Sequence, residues 1–421
     1  LAAGVISRDG DVYFTNIPNL WLLQDTDGDG VSDKKTVLQD GFGTRVSFYG
    51  HDLHGLAWGP DGRLYWSIGD RGFHLETKDG NTFSGPNQGA VFRANPDGTN
   101  LEIFYHGLRN PQELVFDEYG NLFTADNDGD KGDEERVSHL IEGGNSGWHA
   151  GNQNIMSFAN KLNVRSAKYT GIQNVPVKWL ENELWKVRNE NQPAYLLPGI
   201  AQLFRGPSGF TYNPSSYLTD DYHKTFFINH YTGVPAQSYT STLKLKNNGA
   251  SFLSAHQGKF SSGMNASDVD FGPDGRLYMA EFNFGGWESS NQGAIYAFEA
   301  NNLSDEKKAL HKKYHQILVS DFNTKSVDEL VALLATDHIR IRRQAQFALA
   351  KRGNEAFKAF YNVASSAKQS TFARIHSIWG LSQLAFNKSI DASQLDTLLP
   401  LMADNNAHVR AQTARVLGDH S

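Results

Sequence analysis

Short hydrophobic runs separated by Gly turns dominate the first 300 residues of the chain. The same pattern, a tight turn with Gly followed by an aromatic and aliphatic run, occurs at residues 8–14, 60–66, 117–123 and 273–279. An apolar run also precedes several of these copies. Two apolar runs joined by a Gly turn predict a β-hairpin.

The spacing of these hairpins indicates how they assemble. The first two copies lie 52 residues apart, and the next lies about 57 residues further on. Periods of this size with several strands per unit are typical of a β-propeller. A degenerate copy over 209–229 brings the recognisable blades to about five. We predict an all-β six-bladed propeller whose first blade is incomplete or missing, with an insertion from about 150 to 205.

From about residue 303 the hydrophobic periodicity becomes helical. Three segments, over 327–352, 357–385 and 395–418, each pair an apolar helix with a second helix, and residues 404–418 resemble a HEAT repeat. Such repeats stack into all-α solenoids. We therefore predict a propeller over 1–302, a linker over 303–315 and a solenoid of HEAT-like repeats over 316–421.

Composition narrows the class of protein. The net charge of −7 divides into −12 over residues 1–300 and +5 over 301–421, and the acidic first part excludes a nucleic-acid platform. The chain has no Cys, which excludes disulfides and thiolate metal sites. No apolar run approaches the roughly 20 residues of a transmembrane helix. Because the chain begins at Leu1 and ends within a repeat, we expect a truncated solenoid and a longer natural polypeptide.

The acidic loop Asp25–Asp33 is the sharpest local motif. Its sequence, DTDGDGVSD, repeats carboxylates at alternate positions around Gly, which is how a loop gathers oxygen ligands for Ca²⁺. Thr36 stands where an EF-hand has its final Glu, so short dockerin-like or thrombospondin-like loops are the better comparison. We predict one structural Ca²⁺; the alternative is an acidic turn without metal. The predicted ligands are the side chains of Asp25, Asp27, Asp29 and Asp33 and the carbonyl of Val31.

A pair of candidate catalytic residues flanks the second hairpin. His51 and His54 stand just before its first strand, and Asp70 stands just after its second strand. In a propeller both strand ends reach the mouth of the central channel. A His oriented by a carboxylate is a general base near neutral pH. A structural His–Asp pair is the alternative.

The third hairpin is flanked by polar residues in the same way. Arg109 and Asn110 precede its first strand, and a carboxylate-rich loop with Asn127 and Asp128 follows its second strand. A guanidinium suits an anionic cofactor or an oxyanion. This region therefore predicts a second part of the same site.

These motifs resemble a known family. Gly-His51, the Gly-Pro-Asp-Gly-Arg-Leu-Tyr turn, Ile-Gly-Asp70, Gly-Leu-Arg109-Asn110-Pro-Gln and Gly-Gly-Asn-Ser-Gly-Trp148 are similar to the soluble quinoprotein glucose/sorbosone dehydrogenases. Those enzymes are six-bladed propellers that use pyrroloquinoline quinone (PQQ) with calcium. The acidic loop and the helical repeats further resemble planctomycete-type "membrane-bound dehydrogenase" proteins, in which a cytochrome c domain often follows.

The resemblance implies roles for individual residues. His51 falls on the family's catalytic base, Asp70 on its supporting carboxylate, and Arg109 and Asn110 on its cofactor contacts. The family's cofactor-contacting Lys falls near Thr232, and its later Arg pair falls near 264–266, where no Arg occurs. We therefore expect either an empty pocket or a differently anchored quinone. The residues contributing to such anchoring are Arg109, Asn110, Asn127, Asp128, His54 and His230.

The resulting hypothesis is an exported oxidoreductase, periplasmic or extracellular. It would oxidise a sugar or another alcohol with PQQ and calcium and pass electrons to a cytochrome c domain or protein, with a protein partner on the helical repeats. The alternative is a non-catalytic extracellular module whose propeller binds glycan or protein. A calcium-dependent propeller hydrolase is a third reading, and it requires a metal at the centre of the channel.

Overall fold

The repeated Gly turns close the hairpins that the hydrophobic pattern predicts. Gly62, Gly120 and Gly275 have φ of +80°, +78° and +87°, a conformation that residues with a Cβ seldom adopt. Each Gly donates its N–H to a carbonyl three residues earlier, as from Gly62 to Gly59 at 3.0 Å. The turns therefore require Gly, and each one joins the first two strands of a blade.

The computed structural model describes residues 2–45, 50–128, 135–149, 196–283, 285–287 and 291–420. Within these ranges the main sheets form five blades. Blade 1 contains β1 (Ala2–Arg8), β2 (Asp11–Asn16), β3 (Asn19–Gln24) and β4 (Lys34–Gln39). Blade 2 contains β5 (Leu53–Trp58), β6 (Leu64–Ile68), β9 (Gly89–Ala94), β10 (Glu102–Leu108) and β14 (Gly144–Asn145), with a side hairpin of β7 (Phe73–Glu76) and β8 (Thr82–Gly85).

The remaining blades have three or four strands each. Blade 3 contains β11 (Leu114–Phe116), β12 (Leu122–Asp126), β13 (Arg136–Leu140) and β15 (Ala201–Gln202). Blade 4 contains β16 (Pro207–Tyr212), β17 (Phe226–His230), β18 (Tyr239–Asn248) and β19 (Ser251–Ser262). Blade 5 contains β20 (Ala266–Phe271), β21 (Leu277–Glu281) and β22 (Ala294–Phe298). Except for the parallel pair β10 and β14, neighbouring strands are antiparallel.

Helices follow the last strand. They are α1 (Asp305–Leu318), α2 (Val327–Leu333), α3 (Ile339–Ala350), α4 (Glu355–Ser365), α5 (Thr371–Phe386), a 3₁₀ helix (Ala392–Ala403) and α6 (Ala407–Asp419). Polar caps begin several of them; the Ser326 hydroxyl, for example, accepts the N–H of Glu329 while the Glu329 carboxylate accepts the N–H of Ser326. No helix in the described ranges combines the length and the apolar character that crossing a bilayer demands.

The helices pack against the turn end of the propeller. Gln346 of α3 donates to the Pro60 carbonyl at 2.7 Å, and Gln412 of α6 donates to the Tyr119 carbonyl at 3.0 Å. Arg415 donates to Gly120 at 3.1 Å. One hydrophobic core contains residues from both parts, including Phe271 and Ile341. The turn end is therefore covered, and the opposite end of the propeller is left for a site.

The inner strands of the five blades line a central cavity of about 430 Å³. Three residues of α3 lie among its lining residues: Ile339, Arg340 and Arg343. The helical part thus also narrows access to the channel from the turn end.

The predicted fold needs two corrections. The prediction of six blades is wrong, because the described strands form five; the hydrophobic pattern itself indicates about five hairpin units, and the described residues add no sixth. The prediction of a HEAT solenoid is also wrong, since the described C-terminal part has only seven helices of more than one turn, and α3 and α6 among them bind the turns of the propeller through polar side chains. The predicted insertion lies mostly at 150–195, outside the described residues.

Candidate active site

The end of the propeller opposite the turns carries the polar residues that the sequence singles out. At this end lie the residues just before the first strand and just after the second strand of each blade. His51 precedes β5 and Asp70 follows β6, while Arg109 and Asn110 precede β11. The strand order therefore brings these residues from two adjacent blades to one mouth.

His51 and Asp70 form a buried hydrogen-bonded pair. The His51 Nδ1 lies 2.7 Å from Asp70 Oδ1, and the Trp148 Nε1–H donates to Asp70 Oδ2 at 3.0 Å. His51 is 8% exposed and Asp70 is 2% exposed. Burial alone raises the pKa of Asp70, but the hydrogen bonds from His51 and Trp148 and the charge of Arg71 bring it below its usual range. Asp70 is therefore a carboxylate, which can only accept hydrogen bonds.

The charge of Asp70 determines which nitrogen of His51 is basic. Since Asp70 only accepts, Nδ1 of His51 must carry a hydrogen, and the lone pair of the neutral ring is on Nε2. An imidazole held in this tautomer by a carboxylate can remove a proton from a hydroxyl group. The pair thus has the chemistry of a general base.

A second buried carboxylate holds the residues next to this pair. Asp126, which is fully buried, accepts the backbone N–H of Arg109 at 3.0 Å and of Asn110 at 2.7 Å. Arg136 donates to its other oxygen at 2.8 Å. The Arg109 carbonyl accepts the N–H of Asp70 at 2.8 Å. Arg109 and Asn110 are thereby fixed beside the His51–Asp70 pair by the backbone.

We call the last residue of each blade's second strand its closing residue. At this position blade 2 differs from blades 3 and 5. The closing residues are Asn16, Ile68, Asp126, His230 and Glu281. Glu281 accepts the N–H of Asn265, which precedes the first strand of blade 5, at 2.9 Å. Blades 3 and 5 thus use a carboxylate to bind backbone. Blade 2 has Ile68 there, and its carboxylate is two residues later, at Asp70, where it binds a side chain.

Two predicted cofactor residues are engaged within the protein. The Nδ1 of His230 lies 3.0 Å from the Arg205 carbonyl, and its Nε2 lies 2.7 Å from the Ser241 hydroxyl. Burial lowers the pKa of His230 to about 4. His54 is buried with Nε2 at 2.6 Å from the Gly50 carbonyl, and burial lowers its pKa. Both imidazole rings are neutral, and each binds a backbone carbonyl group.

Asn127 and Asp128 follow the closing residue of blade 3. The Asn127 Oδ1 accepts from Asn110 Nδ2 at 3.2 Å, and Asp128 is half-buried. Asn127 therefore joins the group formed by Arg109 and Asn110.

The predicted calcium loop lies at the turn between β3 and β4, on the outer side of blade 1. One oxygen from each of Asp25, Asp27 and Asp29 lies within 4.8 Å of the others, as a shared cation requires. Asp33 instead binds Thr26, accepting its N–H at 3.0 Å, and Val31 is exposed. The structure therefore brings together three of the five predicted ligands.

Four residues of the site were not among the predicted site residues. They are Arg71, Asp126, Arg136 and Trp148. Asp126 has the same place after its hairpin turn as Glu281 has in blade 5, so extending the repeat alignment to the strand ends would have found it. No comparable signal exists for Trp148, because its contact with Asp70 joins residues 78 positions apart.

The residues of the mouth can be tested against a quinone that carries carboxylates. On blades 2 and 3 the donor set fits, because it contains two cations and two amides. Arg71 lies 3.6 Å from Asp70, the Arg109 guanidinium lies 5.9 Å from the Trp148 ring, and Asn110 binds Asn127. On blades 4 and 5 the matching positions are neutral. The Thr232 hydroxyl lies 2.9 Å from that of Ser238, and Asn265 is buried. The family's cation positions are thus filled on one side only.

Comparison with known proteins places the chain in a family. Residues 1–285 match the family described as "Domain of unknown function (DUF7133)". The chain belongs to this family. The match spans blades 1 to 4 and the first two strands of blade 5.

Individual relatives add names of characterised proteins. The chain is similar to quinoprotein glucose dehydrogenase B of Acinetobacter calcoaceticus, with 28% identity over 163 residues that cover 32% of this chain and 33% of that protein. The alignment thus spans about a third of this curated relative. The predicted similarity to quinoprotein glucose dehydrogenases is confirmed at this level, whereas the likeness to planctomycete proteins stays a prediction.

Two solved structures are also similar to parts of this chain. One is an oxidoreductase (glucose dehydrogenase) of Thermus thermophilus, with a TM-score of 0.46 and 19% identity, covering 69% of this chain and 79% of that one. The other is the PQQ-bound aldose sugar dehydrogenase of Streptomyces coelicolor, with a TM-score of 0.44 and 17% identity, covering 69% and 75%.

Proposed function

We propose that this DUF7133 protein oxidises a hydroxyl group of a sugar or a related alcohol with a quinone-type cofactor. The observation that carries the proposal is the buried His51–Asp70 pair at the mouth of the propeller. The similarity to a quinoprotein glucose dehydrogenase supports the substrate class. Export to the periplasm or beyond, and transfer of electrons to a cytochrome c, are further parts of the proposal.

His51 has the central role in the proposed reaction. Its Nε2 accepts the proton of the substrate hydroxyl, and Asp70 holds the ring and stabilises the imidazolium that forms. Arg109, Asn110 and Asn127 would hold PQQ. When bound, PQQ supplies the acceptor for the hydride that leaves the same carbon, so the alcohol becomes a carbonyl. Burial of the pair keeps water away from the base.

Reconstitution tests the proposal. The purified protein is loaded with calcium and PQQ, and dye reduction is measured with glucose and with a panel of other sugars and alcohols. We expect PQQ-dependent turnover that falls by roughly 10²–10⁴-fold in His51→Ala, with the fold retained. The matched control is His256→Ala, which removes an exposed His on β19.

The outcomes separate the proposal from its alternative. Full activity in His51→Ala would contradict the assigned base. Absence of PQQ binding and of any turnover in the wild type would favour the non-catalytic binding module.

We also propose that the loop over Asp25–Asp33 binds one structural Ca²⁺. The convergence of Asp25, Asp27 and Asp29 supports it, because three exposed carboxylates so close together repel one another without a cation. Chelation should lower the melting temperature of the wild type and leave that of Asp27→Ala unchanged. Equal responses of the two proteins to chelator would reject this site.

A further inference from the structure

An exposed aromatic patch lies on blades 4 and 5. Tyr231 is buried, and it makes edge contacts with Trp287 at 4.8 Å and with Phe282 at 6.5 Å between ring centroids. Trp287 is 70% exposed and Phe282 is 42% exposed. We call these three residues the aromatic patch. Exposed aromatic clusters of this kind mark binding surfaces, because water is displaced from them at a gain in free energy.

Hydrogen bonds hold the patch in one arrangement. The Gly286 N–H donates to the Gly233 carbonyl at 2.7 Å, and the Gly286 carbonyl accepts the Tyr231 hydroxyl at 2.6 Å. The indole of Trp287 lies against Gly233, where a Cβ would be only 2.6 Å from its nitrogen. An exposed side chain on a pre-formed support loses little conformational entropy when it binds a ligand.

The patch shares the mouth with the candidate active site. Tyr231 follows the closing residue of blade 4 and Phe282 follows that of blade 5, so both lie at the end of the propeller that carries Asp70. Contacts connect the two regions: Asn110 binds Asn127, and Gly206 packs between Asn127 and the Tyr231 carbonyl. Blade 3 lies between blades 2 and 4, because β11 contacts both β5 and β16. The patch is therefore at the same mouth as His51 without adjoining it.

The chemistry of the patch fits the apolar face of a sugar ring. The described residues around it, 231–235, 282–283 and 285–287, include no charged residue. Aromatic faces bind the C–H groups of a pyranose, while nearby amides and hydroxyls bind its oxygens. Two exposed aromatic rings match one sugar ring in size. A stable protein interface needs about 800 Å² per partner, so a sugar ring fits the patch better than a protein partner does.

We infer that the aromatic patch is a second sugar subsite and that the substrate is an oligosaccharide. One ring would stack on Trp287 while a hydroxyl of another ring reaches His51. This inference rests on the proposed function, since it extends the substrate from the reacting ring to its neighbours. It assigns Trp287 as a substrate-binding residue with no part in the chemistry.

Calorimetric titration of the full chain with glucose, cellobiose, cellotetraose and maltotetraose tests the inference without turnover. At least one oligosaccharide should bind more tightly than glucose, and Trp287→Ala should weaken that binding by roughly tenfold or more while affecting glucose little. Trp287→Phe should retain most of the affinity. Ile295→Ala is the matched control, because it removes an exposed apolar side chain from β22 of the same blade.

The outcomes test the sugar subsite independently of the proposed sugar oxidation. Binding of every sugar unchanged in Trp287→Ala would overturn the subsite, even if His51→Ala abolished oxidation. Trp287-dependent binding in a protein that oxidises no sugar would retain the subsite and reject the proposed function. Failure of all four saccharides to bind would overturn the subsite. In an active enzyme, Trp287→Ala should raise KM for the oligosaccharide and leave kcat unchanged.

Discussion

Blades 2 and 3 each have a buried aspartate at the mouth of the propeller, but the two carboxylates accept hydrogen bonds from different kinds of donor. In blade 3, the carboxylate of Asp126 ends the second strand and accepts two backbone N–H groups. In blade 2, the carboxylate is two residues later, at Asp70, and it accepts from the side chains of His51 and Trp148. A backbone amide cannot take up a proton, whereas an imidazole can. The shift therefore converts a structural contact into a potential catalytic one.

Blade 5 shows that the arrangement in blade 3 is the ordinary one. Glu281 also accepts a backbone N–H, from Asn265, and additionally accepts the Tyr296 hydroxyl. Two blades thus bind the chain entering their first strand in the same way. The comparison teaches that burial of a carboxylate at the mouth is not by itself a sign of catalysis; the identity of its donor decides.

The largest expected effect is on turnover in Asp70→Asn. The Asn amide can donate to Nδ1 of His51, which would place the hydrogen on Nε2 and remove the base. We expect dehydrogenase turnover to fall by roughly 10³–10⁴-fold with the fold retained. Steady-state kinetics and a thermal melt check this. Near-normal turnover would mean that blade 2 uses its carboxylate only structurally, as blade 3 does.

The next largest effect is on stability in Asp126→Ala. This change leaves Arg136 without its buried carboxylate and two N–H groups without an acceptor. We expect the free energy of unfolding to fall by about 3–5 kcal/mol. Denaturant titration measures it. A loss below about 1 kcal/mol would contradict the structural role of this carboxylate.

A smaller effect is expected in Glu281→Gln. Its contacts are with neutral donors, and the Gln amide oxygen can still accept one of them. The free energy of unfolding should fall by about 1–2 kcal/mol, and turnover should not change. Loss of turnover with intact stability would show that blade 5 contributes to the chemistry.

Lowering the pH should change the stability of the protein in opposite directions through Asp70 and through Asp126. The folded-state pKa of Asp70 is lowered, so its contribution is present above the unfolded value of 3.8 and is lost as pH falls through the folded pKa. Burial raises the pKa of Asp126 in spite of Arg136, so wild-type stability should increase as that group protonates. Denaturant titrations of the wild type, Asp70→Asn and Asp126→Asn between pH 2 and 7 measure both differences. Parallel curves would remove the electrostatic distinction between the two blades.

Much of the propeller was predictable because its hairpins are local. The turn at Gly62 and the strands beside it lie within residues 53–68, so sequence pattern and backbone geometry agree there. The positions of His51 and Asp70 before and after that hairpin were also readable. Their separation of 2.7 Å follows from the pairing of β5 with β6, which a hairpin enforces.

The number of blades and the placement of the helices depended on contacts between distant segments. Each blade repeats a local pattern, but how many blades surround the axis depends on how their faces pack. The predicted solenoid failed for a similar reason. An apolar helix face indicates burial without naming its partner, and here α3 and α6 bind turns near residues 60 and 119, almost 300 positions earlier.

The sequence by itself determined the hairpins, the order of polar residues at the strand ends and the acidic loop, because each depends on residues that are close along the chain. Only the tertiary structure decided that Trp148 completes the environment of Asp70, that His230 is neutral and internally bonded, and that Tyr231, Phe282 and Trp287 form one patch. These features depend on side-chain contacts and burial in the folded molecule. Burial and hydrogen-bond partners there are set by packing, which local sequence does not encode.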